Sequence, residues 1–414
     1  MDSEHLHALN ITAHSDEMPA GIPPVGGIEW NDFADHNITV AEMVARMKNT
    51  GFQATAVAEA TEIIEEMIEW RKPSPSSSGE KPKHQVLLGF TSNLVSSGLR
   101  STLRFLVENN HVDAIVATAG AIEEDIIKVF ATTYRSTFNE NDEALREKHI
   151  NRIGNLLVPN DNYCTFEDWI SSVFAGMLDE QEVSLNAIFQ HHFDRISWLS
   201  ANPNTHTGLP PDLAEDFHPF HWSPSAMIAR FGKVLNDRSV TLDGGRIEKH
   251  TINADPQESI VYQAWLHDIP IYCPAITDGS IGDMVYQFNI RMHNRVRALT
   301  SGLVIDIASD VEELNMMTRR AAMQDAKLGA IILGGGLVKH HIMNACLQGG
   351  GADAAVYINT AVEYDGSDSG ARPSEAVSWG KIKAGARSVK VYAEATVVFP
   401  LIVAATWAKK QVAA

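Results

Sequence analysis

The stretch DAIVATAGAIEEDIIKVF, residues 113–130, changes character twice. DAIVA is a short apolar run, TAG (118–120) interrupts it with small residues, and AIEEDIIKVF spaces its apolar side chains as a helix does. A run that is apolar at successive positions reads as a strand buried on both faces of a parallel sheet. The unit recurs. VLLGF stops at TSN (91–93) before LRSTLRFLVENN, IPIYCPAI (269–276) stops at TDGS, and GAIILGGG (329–336) precedes LVKHHIMNACL. DAAVYIN (353–359) stops at TAVEYDGSDSG, and VKVYAEA (389–395) precedes TVVFPLIVAATW. Alternation of such runs with helices predicts an α/β fold, a Rossmann-like, doubly wound and mostly parallel sheet in a single large domain.

In a sheet of this kind, ligands gather at the carboxyl ends of the strands, where helix N-termini offer N–H groups to phosphate. The expected ends carry TSN, TAG, TDGS, GGG, NTA and AEA, whose small residues admit a close ligand and whose Asp and Thr suit ribose hydroxyls. A dinucleotide site is expected on that ground. The G-x-G-x-x-G fingerprint is absent, so an ordinary dehydrogenase domain is not.

Outside these units, residues 1–38 read as an N-terminal arm, polar and broken by Pro and Gly, and mobile over 1–28. A helical pattern runs from Thr39 to Trp70 with a break at Gly51, and RKPSPSSSGEKPK (71–83) is a loop or linker. The catalytic domain is taken as 39–414, with surface insertions near 185–222 and 238–258. HPFH (218–221) has a metal-like spacing but no accompanying carboxylate or Cys pattern, and no metal is expected.

The balance of 33 basic against 52 acidic residues, net −19, argues against a nucleic-acid partner. Three scattered cysteines, Cys164, Cys273 and Cys346, fit a reducing compartment. The start, MDSEHLHALN, lacks a signal-peptide pattern, and the most apolar run, near Ala395 to Trp407, falls short of the ~20 residues that span a bilayer. A cytoplasmic protein without a membrane segment is expected.

Glu123, Glu124, Asp278, Asp283, His340, Asp365, Asp368, Glu375, Trp379 and Lys381 fall near the expected strand ends. Separated carboxylates suit a linear polyamine, whose ammonium groups are spaced by methylenes, and an indole can cover its stem and a charge. With a nicotinamide cofactor across the sheet edge, the amine would lose a hydride while His340 accepts the proton. The oxidised amine is an imine, which a neutral lysine attacks to give a covalent adduct, and Lys381 beside Trp379 fits that role. Each residue also has a plainer use. Glu123 and Glu124 suit the first turn of a helix, and DGSDSG suits any turn.

The chain resembles the deoxyhypusine synthase family. The resemblance rests on GFTSNLVSSGLR (89–100), ATAGAIEEDIIK (117–128), NRIGNLLVPNDNYCTFEDW (151–169) and TDGSIGDM (277–284). It continues through ILGGGLVKHHIMNA (332–345), VYINTAVEYDGSDSGARPSEAVSWGKI (356–382) and VYAEATVVFPLIVA (391–404). It implies an enzyme that uses NAD to move the aminobutyl group of spermidine onto its own lysine. The group then passes to a lysine of the translation initiation factor 5A precursor. By resemblance, Lys381 is the covalent lysine and His340 the proton acceptor. Glu123, Glu124, Asp283, Asn344, Tyr357, Gly366, Ser367, Asp368, Glu375 and Trp379 would bind spermidine. Ser92, Asn93, Leu94, Val95, Ser96, Thr118, Ala119, Gly120, Glu124, Asp278, Gly335, Thr360, Ala361, Glu394 and Ala395 would contact NAD.

Family members are homotetramers with ligands at subunit interfaces, and some pair with an inactive paralogue, so a homotetramer or a heterotetramer is implied. Two positions depart from the family pattern. Ala121 stands where a second glycine is usual and Glu394 where Asp is usual, and both adjoin the expected NAD site. Transfer to putrescine, as in homospermidine synthase, and a non-catalytic subunit remain alternatives.

Overall fold

The structure, a computed structural model, describes residues 20–34, 36–71, 82–202, 221–237, 241–242, 246–247, 255–295 and 302–411. Its strands are β1 (His84–Phe90), β2 (Ala114–Ala117), β3 (Tyr134–Arg135), β4 (Ile150–Ile153), β5 (Leu156–Pro159), β6 (Thr241–Leu242) and β7 (Arg246–Ile247). They continue with β8 (Ile271–Tyr272), β9 (Lys327–Leu333), β10 (Ala352–Asn359) and β11 (Ile382–Tyr392). Six of them form one sheet in the order β11-β10-β9-β1-β2-β8, every pairing parallel. From β1 the chain builds outward through β2 to β8, then returns to the other side of β1 and builds outward through β9, β10 and β11. The order reverses between β1 and β9, which is the switch point where an open α/β sheet leaves a crevice.

All six apolar runs read from the sequence are strands of this sheet. Successive side chains on a strand point to opposite faces, and here both faces are buried. Leu88, Phe90, Ile331, Leu333, Val356 and Ile358 pack on one side with helices Phe52–Glu69, Arg100–Glu108 and Ala119–Phe130. Leu87, Ala330, Ile332, Ala355 and Tyr357 pack on the other with helix Leu337–Gln348 and with Leu314 of helix Ile307–Met323. Burial on both sides explains why no polar alternation marks the inner strands, whereas edge strand β11 is partly exposed and alternates, as in Val389, Lys390 and Val391.

Several boundaries differ from expectation. Thr39 opens helix Val40–Arg46 with a reciprocal cap: Glu42 N–H donates to its hydroxyl at 3.2 Å, and Thr39 N–H donates to the Glu42 carboxylate at 2.8 Å. The arm before it is not wholly free, because Gly26 N–H donates to Asn49 C=O at 2.9 Å and Asp32 pairs with Arg46. Helix Asn160–Ala201 has 42 residues, about 63 Å of axis. Its first half packs Phe166, Ile170, Phe174 and Met177 into the core. Its second half, carrying Val183, Phe189, Phe193 and Ile196 exposed, takes up the start of the expected insertion at 185–222. That segment therefore begins as an uninterrupted helix and not as a separate loop. HPFH falls almost wholly outside the described residues, as does most of the expected insertion at 238–258; its described part includes β6 and β7, which pair antiparallel. β3, β4 and β5 form a small antiparallel sheet that the sequence reading missed.

No helix among the described residues is long and apolar enough to cross a membrane. Among them there is also no cluster of His, Cys, Asp and Glu arranged for a metal.

Candidate active site

Four helices start at the carboxyl edge of the sheet with no side-chain cap. Their N-cap residues are Thr91, Thr118, Gly336 and Glu394. Thr118 is drawn elsewhere, sharing a 2.8 Å hydrogen bond between its Oγ1 and Ser92 Oγ. Uncapped first turns leave N–H donors and the positive end of the macrodipole at the crevice, which suits the phosphates of a dinucleotide. Around them, Ser92, Asn93, Thr118, Gly120, Asp278, Gly335, Thr360, Ala361 and Glu394 are at least partly exposed. The donor set fits NAD.

Other expected cofactor contacts turn inward. Leu94, Val95, Ser96, Ala119 and Ala395 are buried, and the Lys128 ammonium binds the Val95 carbonyl at 2.8 Å and the Ser96 carbonyl as well. This cation closes the C-terminus of helix Ser92–Ser96, and burial lowers its pKa to about 8. Ala121 is buried as well, with its methyl in the hydrophobic core.

Glu123 and Glu124 have different tasks. Glu123 Oε2 accepts from Ser280 Oγ at 2.7 Å and from Ile281 N–H at 3.1 Å, capping the helix Ser280–Arg295 that carries Asp283. Glu124 is 3% exposed; its Oε1 accepts from the Tyr163 hydroxyl at 2.8 Å, and its Oε2 has no hydrogen-bond partner among the described residues. Burial raises the pKa of both carboxyls, opposed by these hydrogen bonds. Tyr163 was not singled out from the sequence, although it lies in the VPNDNYCTFEDW motif, because nothing local links it to a residue 39 positions away.

A second cluster surrounds helix Leu337–Gln348. His340 and Asn344 lie one turn apart and both are exposed. His340 Nδ1 lies 3.4 Å from Asp368 Oδ1. Behind them Lys339 is 5% exposed, its ammonium bound to the Asp368 carbonyl, 3.5 Å from Asp368 Oδ2 and 5.5 Å from the centre of the Tyr357 ring. Burial lowers the Lys339 pKa against the pull of Asp368 and Glu375. Tyr357 is buried beneath Lys339, and its hydroxyl has no hydrogen-bond partner among the described residues. Lys339 is the second functional candidate that sequence reasoning missed. Its neighbour His340 drew attention, and only the packed structure shows a buried ammonium there.

Glu375, Trp379 and Lys381 do not sit at a strand's carboxyl end, as expected, but on helix Pro373–Ser378 and the turn entering β11. The Lys381 carbonyl accepts from Ala352 N–H at 2.9 Å, at the amino end of β10. The lysine reaches the cluster through its side chain: its ammonium stands 5.9 Å from the centre of the Trp379 ring, which is 67% exposed, and its charge is felt by Lys339. His340, Asn344, Trp379 and Lys381 thus border one face of helix Leu337–Gln348.

Asp278 and Asp283 are not part of this cluster. They follow β8, one edge of the sheet, whereas Lys381 enters β11, the other edge. At least four strand spacings, about 19 Å, lie between them laterally, and Lys381 lies about 23 Å down β10 from its carboxyl end. The strands between them alone hold Asp283 and Lys381 of one chain farther apart than extended spermidine, about 11 Å, can span.

A sequence model of the deoxyhypusine synthase family matches residues 42–406. A deoxyhypusine synthase of Neurospora crassa is 46% identical over 400 residues, covering 97% of this chain and 96% of the relative. One of Saccharomyces cerevisiae is 44% identical over 402 residues, 94% of this chain and 92% of the relative. A crystal structure of a candidate deoxyhypusine synthase from Entamoeba histolytica superposes with a TM-score of 0.54 at 27% identity, covering 93% of this chain and 97% of that one.

Proposed function

Because this chain belongs to the deoxyhypusine synthase family, we propose that it moves the aminobutyl group of spermidine onto Lys381 and from there to a lysine of the translation initiation factor 5A precursor. NAD, when bound, supplies the oxidising step at spermidine and the final reduction. Ser92, Asn93, Thr118, Gly120, Asp278, Gly335, Thr360, Ala361 and Glu394 would hold it, with the uncapped helix starts facing its phosphates.

The observation that carries the reading is the lysine and indole at Lys381 and Trp379, the Lys381 charge acting on Lys339, which itself binds Asp368, the neighbour of His340. Asp368 next to Nδ1 favours the His340 tautomer protonated there, leaving Nε2 to take the proton that spermidine gives up with its hydride. Trp379 offers a ring face to the ammonium or methylene stem, and Glu375 and Asp368 offer carboxylates. The neutral amine of Lys381 adds to the imine carbon, and the bond to the diaminopropane nitrogen breaks as that amine leaves with a proton. The acceptor lysine then displaces Lys381 in the same manner. Trp379, more than half exposed, leaves the face open to a protein substrate.

The separation of Asp283 from Lys381 supports a homo-oligomer in which one copy's Asp278 and Asp283 face another copy's His340 and Lys381. The test is intact mass after incubation with NAD and spermidine followed by borohydride. The expected result is an added aminobutyl group on Lys381, passed to the factor precursor when that is supplied before reduction. No adduct on Lys381 refutes the reading.

A further inference from the structure

The segment Thr360–Gly370 carries residues assigned above to both ligands, and one side chain from outside holds its two ends. Lys390 stands on β11, in register with Tyr357 of β10. Its ammonium donates to Ala361 C=O at 2.7 Å and to Gly370 C=O at 2.6 Å. The ends of the segment touch: a Cβ on Gly370 would lie 1.9 Å from the Val362 carbonyl oxygen, so only glycine fits there. Within it, Ser367 N–H donates to Asp365 Oδ1 at 2.7 Å and Gly370 N–H to Ser367 C=O at 3.0 Å. Lys339 holds Asp368 from the helix below. The segment is thus a closed loop, tied across its base by one cation and at Asp368, on its second arm, by another.

An ammonium has three donors and can bridge two carbonyls, here beside the Arg372–Glu363 ion pair that also joins the two ends of the loop. Ala361 is in the cofactor half of the loop, and Asp368 and Gly370 are in the amine half. We propose that Lys390 is a positioning residue that couples the NAD and spermidine sites, so that ordering either half of the loop orders the other. The coupling rests on the function proposed above; the clamp itself does not.

The experiment titrates 1,8-diaminooctane, which matches spermidine in length and lacks the secondary amine that would be oxidised, with and without saturating NAD. The wild-type chain is expected to bind the diamine about fivefold or more tightly with NAD present. In Lys390→Met that enhancement falls below about twofold while the affinity for each ligand alone changes little. Retained enhancement in Lys390→Met overturns the coupling. Hydrogen exchange of the ligand-free chain decides the clamp independently. Exchange across residues 361–371 should accelerate by about tenfold in Lys390→Met with the rest of the sheet unchanged. Unchanged exchange there, or acceleration spread evenly over the sheet, overturns the clamp. A wild-type chain that binds neither NAD nor the diamine refutes the functional reading instead, and the exchange result stands apart from it.

Discussion

Co-expression of two inactive variants, Lys381→Arg and Asp283→Ala, tests where the reaction is assembled. The arginine keeps its charge and cannot attack an imine, and the alanine removes a carboxylate from the other half-site. In one chain Asp283 belongs with β2 and β8 and Lys381 with β11, so at least four strand spacings, about 19 Å, lie between them. No ligand about 11 Å long touches both. If each site takes His340 and Lys381 from one copy and Asp283 from another, random mixing leaves an intact pair with probability one half times one half. Transfer to the factor precursor should then recover to about a quarter of the wild-type rate, although each variant alone is inactive. The assay is incorporation of labelled aminobutyl group into the precursor, normalised to total enzyme. A mixture that stays at the level of the single variants would show that every site is built within one chain, and the half-site reasoning would fail.

Lys381→Arg should abolish borohydride-trapped adduct on the enzyme while leaving some spermidine-dependent reduction of NAD, measured by absorbance; an adduct still found at position 381 contradicts the carrier role. Glu375→Gln and Asp283→Asn should each weaken spermidine binding by about ten- to a hundredfold, the worth of a charge-assisted hydrogen bond of about 1.5–3 kcal/mol, and calorimetry showing unchanged affinity in both removes them from the amine site. Glu124→Gln should alter the pH dependence of stability. Burial raises this carboxyl above its usual 4.5, so as pH climbs from that value through the raised one the unfolded chain has already lost the proton that the folded chain still holds, and wild-type stability falls. Glutamine does not titrate, so the variant should gain on wild type across that window in urea unfolding, and parallel curves would contradict it. Asp125 accepts from Arg100 Nε at 2.6 Å, Ser259 Oγ at 2.6 Å and the N–H groups of Ile260 and Val261 at 3.0 and 2.9 Å. Asp125→Ala, which strands a guanidinium of low exposure, should cost about 3–5 kcal/mol by denaturant unfolding, with a loss below about 1 kcal/mol counting against the network.

What the sequence by itself determined is local. Six apolar runs ending in TSN, TAG, TDGS, GGG, NTA and AEA were enough for a parallel sheet with helices on both faces, because a strand buried on both sides has to be apolar throughout. The motifs around His340 and Lys381 raised the expectation of an imine-forming amine site, because few other chemistries use a lysine, an indole and separated carboxylates together. Helix continuity past residue 185 was missed because His, Asn and Asp interrupt the apolar pattern without breaking the helix.

Tertiary structure decided everything that depends on distance between elements. Glu124 meets Tyr163 and Lys390 meets Ala361 and Gly370 only after long stretches of chain have packed. Lys339 became a buried ammonium only when Asp368 closed over helix Leu337–Gln348. Val95 and Ser96, which the motif placed at the cofactor, turned out to offer their carbonyls to Lys128. Most consequential is the strand order. Sequence order puts Asp283 and Lys381 after similar βα units, but the reversal at β1 sends β8 and β11 to opposite edges. A chain that builds a sheet outward in both directions from its first strand separates its first-half residues from its second-half residues, and no local pattern encodes that distance.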